Sequence, residues 1–183
     1  MQVACHEAGH AVVASFIPNG DKVQRITILP HGYAGGFTRT SQEKESIVLS
    51  KTRVMANIAV LLGGRVAEEI VIGDISSGAS DDIKKANELA REMVEHYGMS
   101  EHFGLRYCTQ NAIGLSEVGS DTRKIIDADI NDILNTSYIV AKEIITEHDE
   151  ALERIATKLL EVETLDGVDI SKICTTDDST ESR

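Results

Sequence analysis

Two histidines and a glutamate near the start of the chain have the types and the spacing of a metal-dependent hydrolytic site. His6 and His10 are four residues apart, with Glu7 between them, in the pattern His-Glu-x-x-His. A four-residue step returns to the same face of a helix, so both imidazoles can bind one zinc ion. From the position after His6, Glu7 can reach a zinc-activated water and accept its proton. The motif therefore predicts zinc-dependent hydrolysis of the kind that metallopeptidases perform.

A catalytic zinc needs a third protein ligand and one position open to solvent. The extended form of the motif, which supplies a third histidine, is excluded because Val13 and Phe16 occupy its glycine and histidine positions. The remaining candidates are acids on two later helices, namely Glu68 and Glu69 on one, and Asp81 and Asp82 on the other. Spacing alone does not choose among these four.

Other residues with chemical potential are interpreted more simply. His31 and Tyr33 lie between two predicted strands, where they could help to stabilise an oxyanion, but exposed loop positions are the favoured interpretation. Cys5 points about 100° away from His6 around a helix, which favours a packing role. Surface positions are predicted for His96, His102 and His148.

Hydrophobic periodicity predicts the elements that must position the motif. The motif lies on a predicted helix over about residues 3–17. Two short β segments, near 23–29 and 37–40, are predicted to form a hairpin, and no other extended segment is expected. A further helix is predicted near 46–72, with a close-packing point at Gly63-Gly64. Another is predicted near 80–98, with Ser80 as N-cap. The last helical segment is predicted from about 126 to 159, with a break near His148. The predicted fold class is therefore mainly α with a small β-hairpin or sheet (α+β).

Composition limits the classes of partner. The chain has 183 residues, with 18 Lys and Arg against 30 Asp and Glu, a net charge of −12. Such a charge repels phosphate backbones, so we expect no nucleic-acid partner. Three scattered cysteines and the lack of a predicted membrane span or signal peptide favour a soluble, cytoplasmic chain. We expect one domain over residues 1–174 and a disordered polar tail over 175–183.

Further motifs follow His6–His10 in a fixed order. They are Lys22-Val23 through Pro30, Leu62-Gly-Gly-Arg-Val-Ala-Glu-Glu69, Ser77-Gly-Ala-Ser-Asp-Asp-Ile83, Ala90-Arg-Glu-Met-Val94, Tyr97-Gly-Met-Ser100 and Glu163-Thr-Leu-Asp-Gly167. With these motifs, the sequence over about residues 3–173 resembles the peptidase domain of the FtsH-type ATP-dependent zinc metalloproteases.

The resemblance implies a mostly helical zinc-peptidase domain and a particular ligand set. By position in the motifs, His6, His10 and Asp82 would bind Zn²⁺, and Glu68 would orient a zinc-bound imidazole. The edge strand near Phe37 would bind polypeptide substrate as an added β-strand. In that family a membrane anchor and an AAA ATPase ring precede the motif, and the peptidase domains form a hexameric ring. This sequence has no GxxxxGK[ST] phosphate loop and only five residues before His6, so we expect an excised domain or a stand-alone relative.

The leading hypothesis is a zinc metalloendopeptidase that cleaves unfolded or flexible polypeptides, with Glu7 as general base. The main alternative is a catalytically inactive peptidase-like module that binds extended peptides or partners an AAA ATPase. A metal-dependent hydrolase of small molecules is a weaker third hypothesis. We expect a polypeptide substrate, a homo-hexamer in keeping with the family, and an ATPase module outside this chain.

Overall fold

The computed structural model describes residues 1–29, 37–41, 48–108 and 118–175. In these ranges the chain is mostly helical with one small sheet, so the predicted fold class is confirmed. None of the described helices has the length and hydrophobicity that crossing a bilayer requires. The elements are α1 (Gln2–Phe16), β1 (Lys22–Thr27), β2 (Phe37–Ser41), α2 (Lys51–Ala67), α3 (Ser80–Glu95), α4 (Ser120–Glu147), α5 (Asp149–Val162), β3 (Thr164–Asp166) and α6 (Gly167–Thr175).

The helix boundaries follow local signals in most places. Ser50 caps α2 by accepting a hydrogen bond from the backbone N–H of Arg53, and a π-helical turn over Glu68–Ile72 continues that helix. The predicted break near His148 is confirmed, since this residue separates α4 from α5. The prediction of Ser80 as N-cap is wrong: a 3-10 turn over Ser77–Ala79 leads directly into α3, which makes Ser80 its first residue. Residues 176–183 of the predicted tail lie outside the described ranges.

The sheet contains one strand more than the sequence suggested. Its order is β2-β1-β3, and both pairings are antiparallel. The expectation of no extended segment beyond the hairpin is wrong because β3 pairs with β1, with Leu165 opposite Ile26. Both of these side chains are buried. A three-residue strand has no periodicity of its own, so its pairing and the burial of Leu165 create it.

Helix α2 packs between two groups of buried side chains. One group joins α1, α5, α6, the sheet and the second half of α4, and includes Val66 of α2. The other joins α3 and the first half of α4, and includes Ile58 of α2. Helix α1 approaches α2 very closely at Gly9 and Gly63, since a Cβ atom at Gly9 would lie 2.4 Å from the carbonyl oxygen of Gly63. The glycine pair of α2 is therefore a close-packing point, and its partner is the helix that carries the His-Glu-x-x-His motif.

Candidate metal centre

Helix α1 presents the three motif residues at one buried location. His6, Glu7 and His10 are 8%, 5% and 6% exposed. The Nε2 atoms of His6 and His10 are 3.1 Å apart, and the two rings stand almost perpendicular, with centroids separated by 4.7 Å. The four-residue spacing thus brings both imidazoles together, as the motif predicts.

Asp82 joins the two histidines from the first turn of α3. Its Oδ2 atom lies 3.2 Å from Nε2 of His6 and 3.4 Å from Nε2 of His10. Ligands at 2.0–2.1 Å from a tetrahedral zinc are separated from one another by about 3.3 Å. The three donor atoms therefore have the mutual spacing and the chemistry that zinc requires, and they form a potential metal-binding group.

The second ring nitrogen of each histidine, Nδ1, forms a hydrogen bond with an oxygen. Nδ1 of His6 lies 2.8 Å from Oε1 of Glu68, and Nδ1 of His10 lies 2.7 Å from the carbonyl oxygen of Val60. In a neutral imidazole, a proton on Nδ1 that is donated to such an oxygen leaves the lone pair on Nε2 for a metal. In each ring the oxygen at Nδ1 thus leaves Nε2 as the nitrogen that faces the metal position.

Gly64 leaves the space in which the two rings meet. A Cβ atom at this position would lie 2.6 Å from Cε1 and Nε2 of His6, and 2.7 Å from Nε2 of His10. These separations are far below van der Waals contact, so any side chain at position 64 would displace the imidazoles. The α2 backbone therefore forms one wall of the metal centre.

The neighbours of Asp82 and Glu68 lower the pKa of both carboxyl groups. Burial alone would raise the pKa of Asp82, but hydrogen bonds and charges from His10 and His6 outweigh it and hold that pKa far below its usual range. Burial opposes ionisation of Glu68 as well, and hydrogen bonds from Ser76 and His6 lower its pKa. The backbone N–H of Ser76 donates to Oε2 of Glu68 at 2.9 Å, which leaves Oε1 for His6.

The structure separates the four acids that the sequence left as alternatives. Asp82 reaches the histidines, and Glu68 contacts His6 from behind the ring. Glu69 points to α4, where it accepts hydrogen bonds from Tyr138 and Lys142. The remaining candidate, Asp81, is exposed and pairs with Lys85 at 2.6 Å.

The other candidate residues have no place in the ligand set or fall outside the described ranges. His31 and Tyr33 fall among residues that the structure does not describe. Cys5 is buried beside Glu68, and burial with that carboxylate raises the pKa of its thiol to about 11, which favours packing over metal binding. His102 is exposed as predicted but is bound to Asp129 at 2.7 Å, and His148 stacks on Phe16 with ring centroids 3.5 Å apart.

Two contacts of the site residues were not foreseen from the sequence. Thr38 of β2 donates a hydrogen bond to Oε2 of Glu7 at 2.5 Å. The carbonyl of Val60 orients His10, and any residue could supply such a backbone oxygen. Neither contact has a sequence signal, since both depend on how β2 and α2 pack against α1.

Comparisons with known proteins show the family of the chain. The family model described as "Peptidase family M41" matches residues 1–173. The chain is 42% identical over 175 residues to ATP-dependent zinc metalloprotease FtsH 2 of Phytoplasma mali (strain AT), covering 95% of this chain and 25% of that protein. It is 39% identical over 181 residues to ATP-dependent zinc metalloprotease FtsH of Thermotoga maritima (strain ATCC 43589 / DSM 3109 / JCM 10099 / NBRC 100826 / MSB8), covering 93% and 30% of the two chains.

The length of these matches sets their scope. This chain spans 25% and 30% of the length of these two relatives. The family model, in contrast, matches nearly all residues of this chain. The resemblance to the FtsH-type peptidase domain is thus confirmed at the level of the family. The chain belongs to peptidase family M41.

Proposed function

We propose that the chain is the catalytic domain of a zinc-dependent endopeptidase. The observation that carries this proposal is the convergence of Nε2 of His6, Nε2 of His10 and Oδ2 of Asp82 within 3.4 Å of one another, next to the carboxylate-bearing Glu7. The names of the relatives, all zinc metalloproteases, support the same activity. The alternative of an inactive peptidase-like module has no support in the comparisons.

Each site residue has a defined role in the proposed reaction. His6, His10 and Asp82 would hold the zinc ion, and Glu68 and the Val60 carbonyl keep the two imidazoles oriented. When bound, zinc supplies Lewis acidity, which lowers the pKa of a coordinated water toward ~7 and polarises a carbonyl. Glu7 accepts the proton of the attacking water on its carboxylate and then donates it to the leaving amine.

The position of β2 supports an extended polypeptide as substrate. This strand is at one edge of the sheet and pairs only with β1 among the described residues. An open edge presents backbone N–H and C=O groups to which a peptide can add as a further strand. Thr38 of this same strand contacts Glu7, so a peptide added at the edge would lie close to the reacting groups. Unfolded or flexible segments meet this requirement, because folded segments have their backbone groups already paired.

The assembly belongs to the proposal as well. The relatives are named ATP-dependent, and this chain corresponds to 25% and 30% of their length. We infer that the domain acts together with an AAA ATPase module, and that six copies form a ring. Light scattering of the purified chain, alone and joined to an ATPase module, would test the ring directly.

Glu7→Gln and Asp82→Ala test the proposal together. Glu7→Gln should retain one zinc per chain but lower the rate of casein cleavage by at least about 100-fold, the usual contribution of a general base. Asp82→Ala should lose both zinc and cleavage, because two histidines alone bind zinc weakly. Metal content by mass spectrometry and cleavage of labelled casein measure the two effects.

His102→Ala is the matched control, since it also removes a histidine–aspartate contact but at an exposed position away from the metal centre. This variant should keep both zinc and cleavage. Cleavage by Glu7→Gln at the parental rate would contradict the role of Glu7, and full zinc occupancy in Asp82→Ala would contradict the ligand set.

A further inference from the structure

A threonine on the edge strand binds the side chain of Glu7. The hydroxyl of Thr38 donates a hydrogen bond to Oε2 of Glu7 at 2.5 Å. Glu7 itself is 5% exposed. Within the described part of the chain, no other side chain donates a hydrogen bond to this carboxylate. Thr38 therefore gives this buried acid a hydrogen bond that replaces part of the hydration lost on burial.

The register of the sheet explains why Thr38 reaches helix α1. Thr38 lies opposite Ile26 of β1, and directly opposed residues of an antiparallel pair have their side chains on the same face. Ile26 is fully buried in the group of side chains that includes α1. The side chain of Thr38 is therefore directed toward the same helix, where it contacts Glu7 one residue after the first histidine ligand.

We propose that Thr38 is a positioning residue that holds the Glu7 carboxylate for proton transfer and ties its orientation to the edge strand β2. This inference rests on the proposed function, because it assigns a role in the same reaction. The hydrogen bond engages Oε2 and leaves Oε1 as the oxygen that takes the proton of the attacking water.

The physical basis is restriction of a flexible side chain. A glutamate has three side-chain torsions, and a carboxylate without a hydrogen-bond donor would sample several of their combinations. Proton transfer requires an oxygen within about 3 Å of the reacting water, so time spent elsewhere lowers the rate directly. The same threonine belongs to the strand on which substrate is proposed to add. The edge strand thus sets both the position of the peptide and that of the general base.

Kinetics of Thr38→Val and Thr38→Ser test this role. Valine keeps the shape of threonine and removes the donor, so kcat for a short fluorogenic peptide should fall by about 10- to 100-fold with KM changed less than about twofold. Serine retains the hydroxyl and should keep kcat within about threefold of the parent. Zinc content should stay at one per chain in both variants. An equal loss of kcat in the serine and valine variants, or loss of zinc from Thr38→Val, would overturn the proposal.

Thr164→Val is the matched control from the same sheet. Thr164 lies on β3, at the opposite edge, and its hydroxyl contacts that of Thr27 at 2.8 Å. This substitution removes a hydroxyl from a strand of the sheet without touching Glu7, so kcat should stay within about twofold of the parent. A fall in kcat equal to that of Thr38→Val would mean that loss of any sheet hydroxyl has this effect, which would overturn the specific role of Thr38.

A double-mutant cycle tests the contact without relying on activity. Thr38→Val should lower the urea midpoint of unfolding in the parent but leave it nearly unchanged in a Glu7→Ala background, where no carboxylate remains to be bound. The cycle is measured with chelator present, so that metal binding does not contribute. Equal shifts in both backgrounds would show a role in strand stability alone and overturn the proposal. If the parent with zinc cleaves no peptide at all, the proposed function fails, while the cycle still decides whether Thr38 binds Glu7.

Discussion

The orientation of the two imidazoles depends on small groups behind and beside them. Glu68 and the carbonyl of Val60 each bind an Nδ1 atom, and this leaves both Nε2 atoms to face Asp82. Gly64 contributes by having no side chain, since its Cα hydrogen faces the ring atoms that a Cβ would strike. At the scale of single residues, the metal centre thus requires hydrogen-bond partners for both rings and a residue without a side chain at position 64.

Gly64→Ala is expected to abolish tight zinc binding while the helices remain folded. The added Cβ would lie 2.6 Å from the His6 ring, so the imidazoles must move apart. Their Nε2 atoms could then no longer bind the same zinc ion. Loss of a residue that merely orients a ligand costs 10- to 100-fold in metal affinity, and direct displacement of two ligands should exceed about 100-fold. Competition with a chromophoric chelator measures the affinity, and circular dichroism measures helix content.

Gly119→Ala is the control for this prediction. Gly119 is the N-cap of α4, it has a φ of −65°, and an added Cβ would meet no atom within 4 Å. Zinc affinity in this variant should equal that of the parent. Unchanged zinc affinity in Gly64→Ala would mean that the rings do not need the space that this glycine leaves.

A buried acid inside helix α4 connects this helix to a distant part of the chain. Asp129 of α4 is 4% exposed and accepts hydrogen bonds from the hydroxyl of Ser100, the backbone N–H of Phe103 and Nδ1 of His102. These contacts hold the segment that follows α3 against α4. Burial alone would raise the pKa of Asp129, but the three donors outweigh burial and lower this pKa.

Asp129→Asn should destabilise the fold by about 2 kcal/mol at pH 7, the usual value of hydrogen bonds to a charged group. The folded pKa of Asp129 lies below its unfolded value of about 3.9, so its stabilising effect is present above that pH and is lost as the pH falls through the folded pKa. The difference in unfolding free energy between parent and variant should therefore shrink below about pH 4.

Urea unfolding of both proteins between pH 7 and pH 3 measures this difference. Asp121→Asn is the control, since Asp121 is an exposed acid in the first turn of the same helix, paired with Lys124 at the surface. The control should lose far less stability at pH 7 than Asp129→Asn does. A difference for Asp129→Asn that stayed constant from pH 7 to pH 3 would contradict the assigned cause.

At the scale of the whole molecule, the three metal ligands come from helices that belong to two different groups of buried side chains. Helix α1 belongs to one group and α3, which carries Asp82, belongs to the other, while α2 and α4 contribute to both. A metal held by His6, His10 and Asp82 would add a further connection between these two groups. Zinc binding is therefore expected to stabilise the fold as a whole, in addition to its proposed role in catalysis.

Removal of zinc should lower the thermal midpoint of the chain. A free zinc concentration 100 times the dissociation constant stabilises the folded state by about 2.7 kcal/mol, which corresponds to roughly 5–11 °C for a chain of this length. Scanning calorimetry with zinc and with chelator measures the shift. The shift should disappear in Asp82→Ala and persist in His102→Ala. An equal shift in Asp82→Ala and the parent would show that zinc stabilises the chain at another site.

The part of the site that the sequence predicts is the part that depends on local geometry. His6, Glu7 and His10 lie within one helical turn, and the helix period alone brings the two imidazoles together. Asp82 is 76 residues beyond His6, and spacing left it equal to three other acids until the family resemblance indicated it. Most helices were likewise predicted because their buried faces repeat every three to four residues.

Tertiary structure decided the remaining features because each depends on contacts between distant segments. Strand β3 exists through its pairing with β1. The sequence predicts close packing at Gly63-Gly64, but only the structure shows that the partner is α1 and that Gly64 faces the two imidazoles. The adjacent Glu68 and Glu69 have different roles, since one contacts His6 and the other contacts α4. The hydrogen bond from Thr38 to Glu7 arises from the register of an edge strand. Sequence patterns record the period of a helix, but not the face of a neighbour that packs against it.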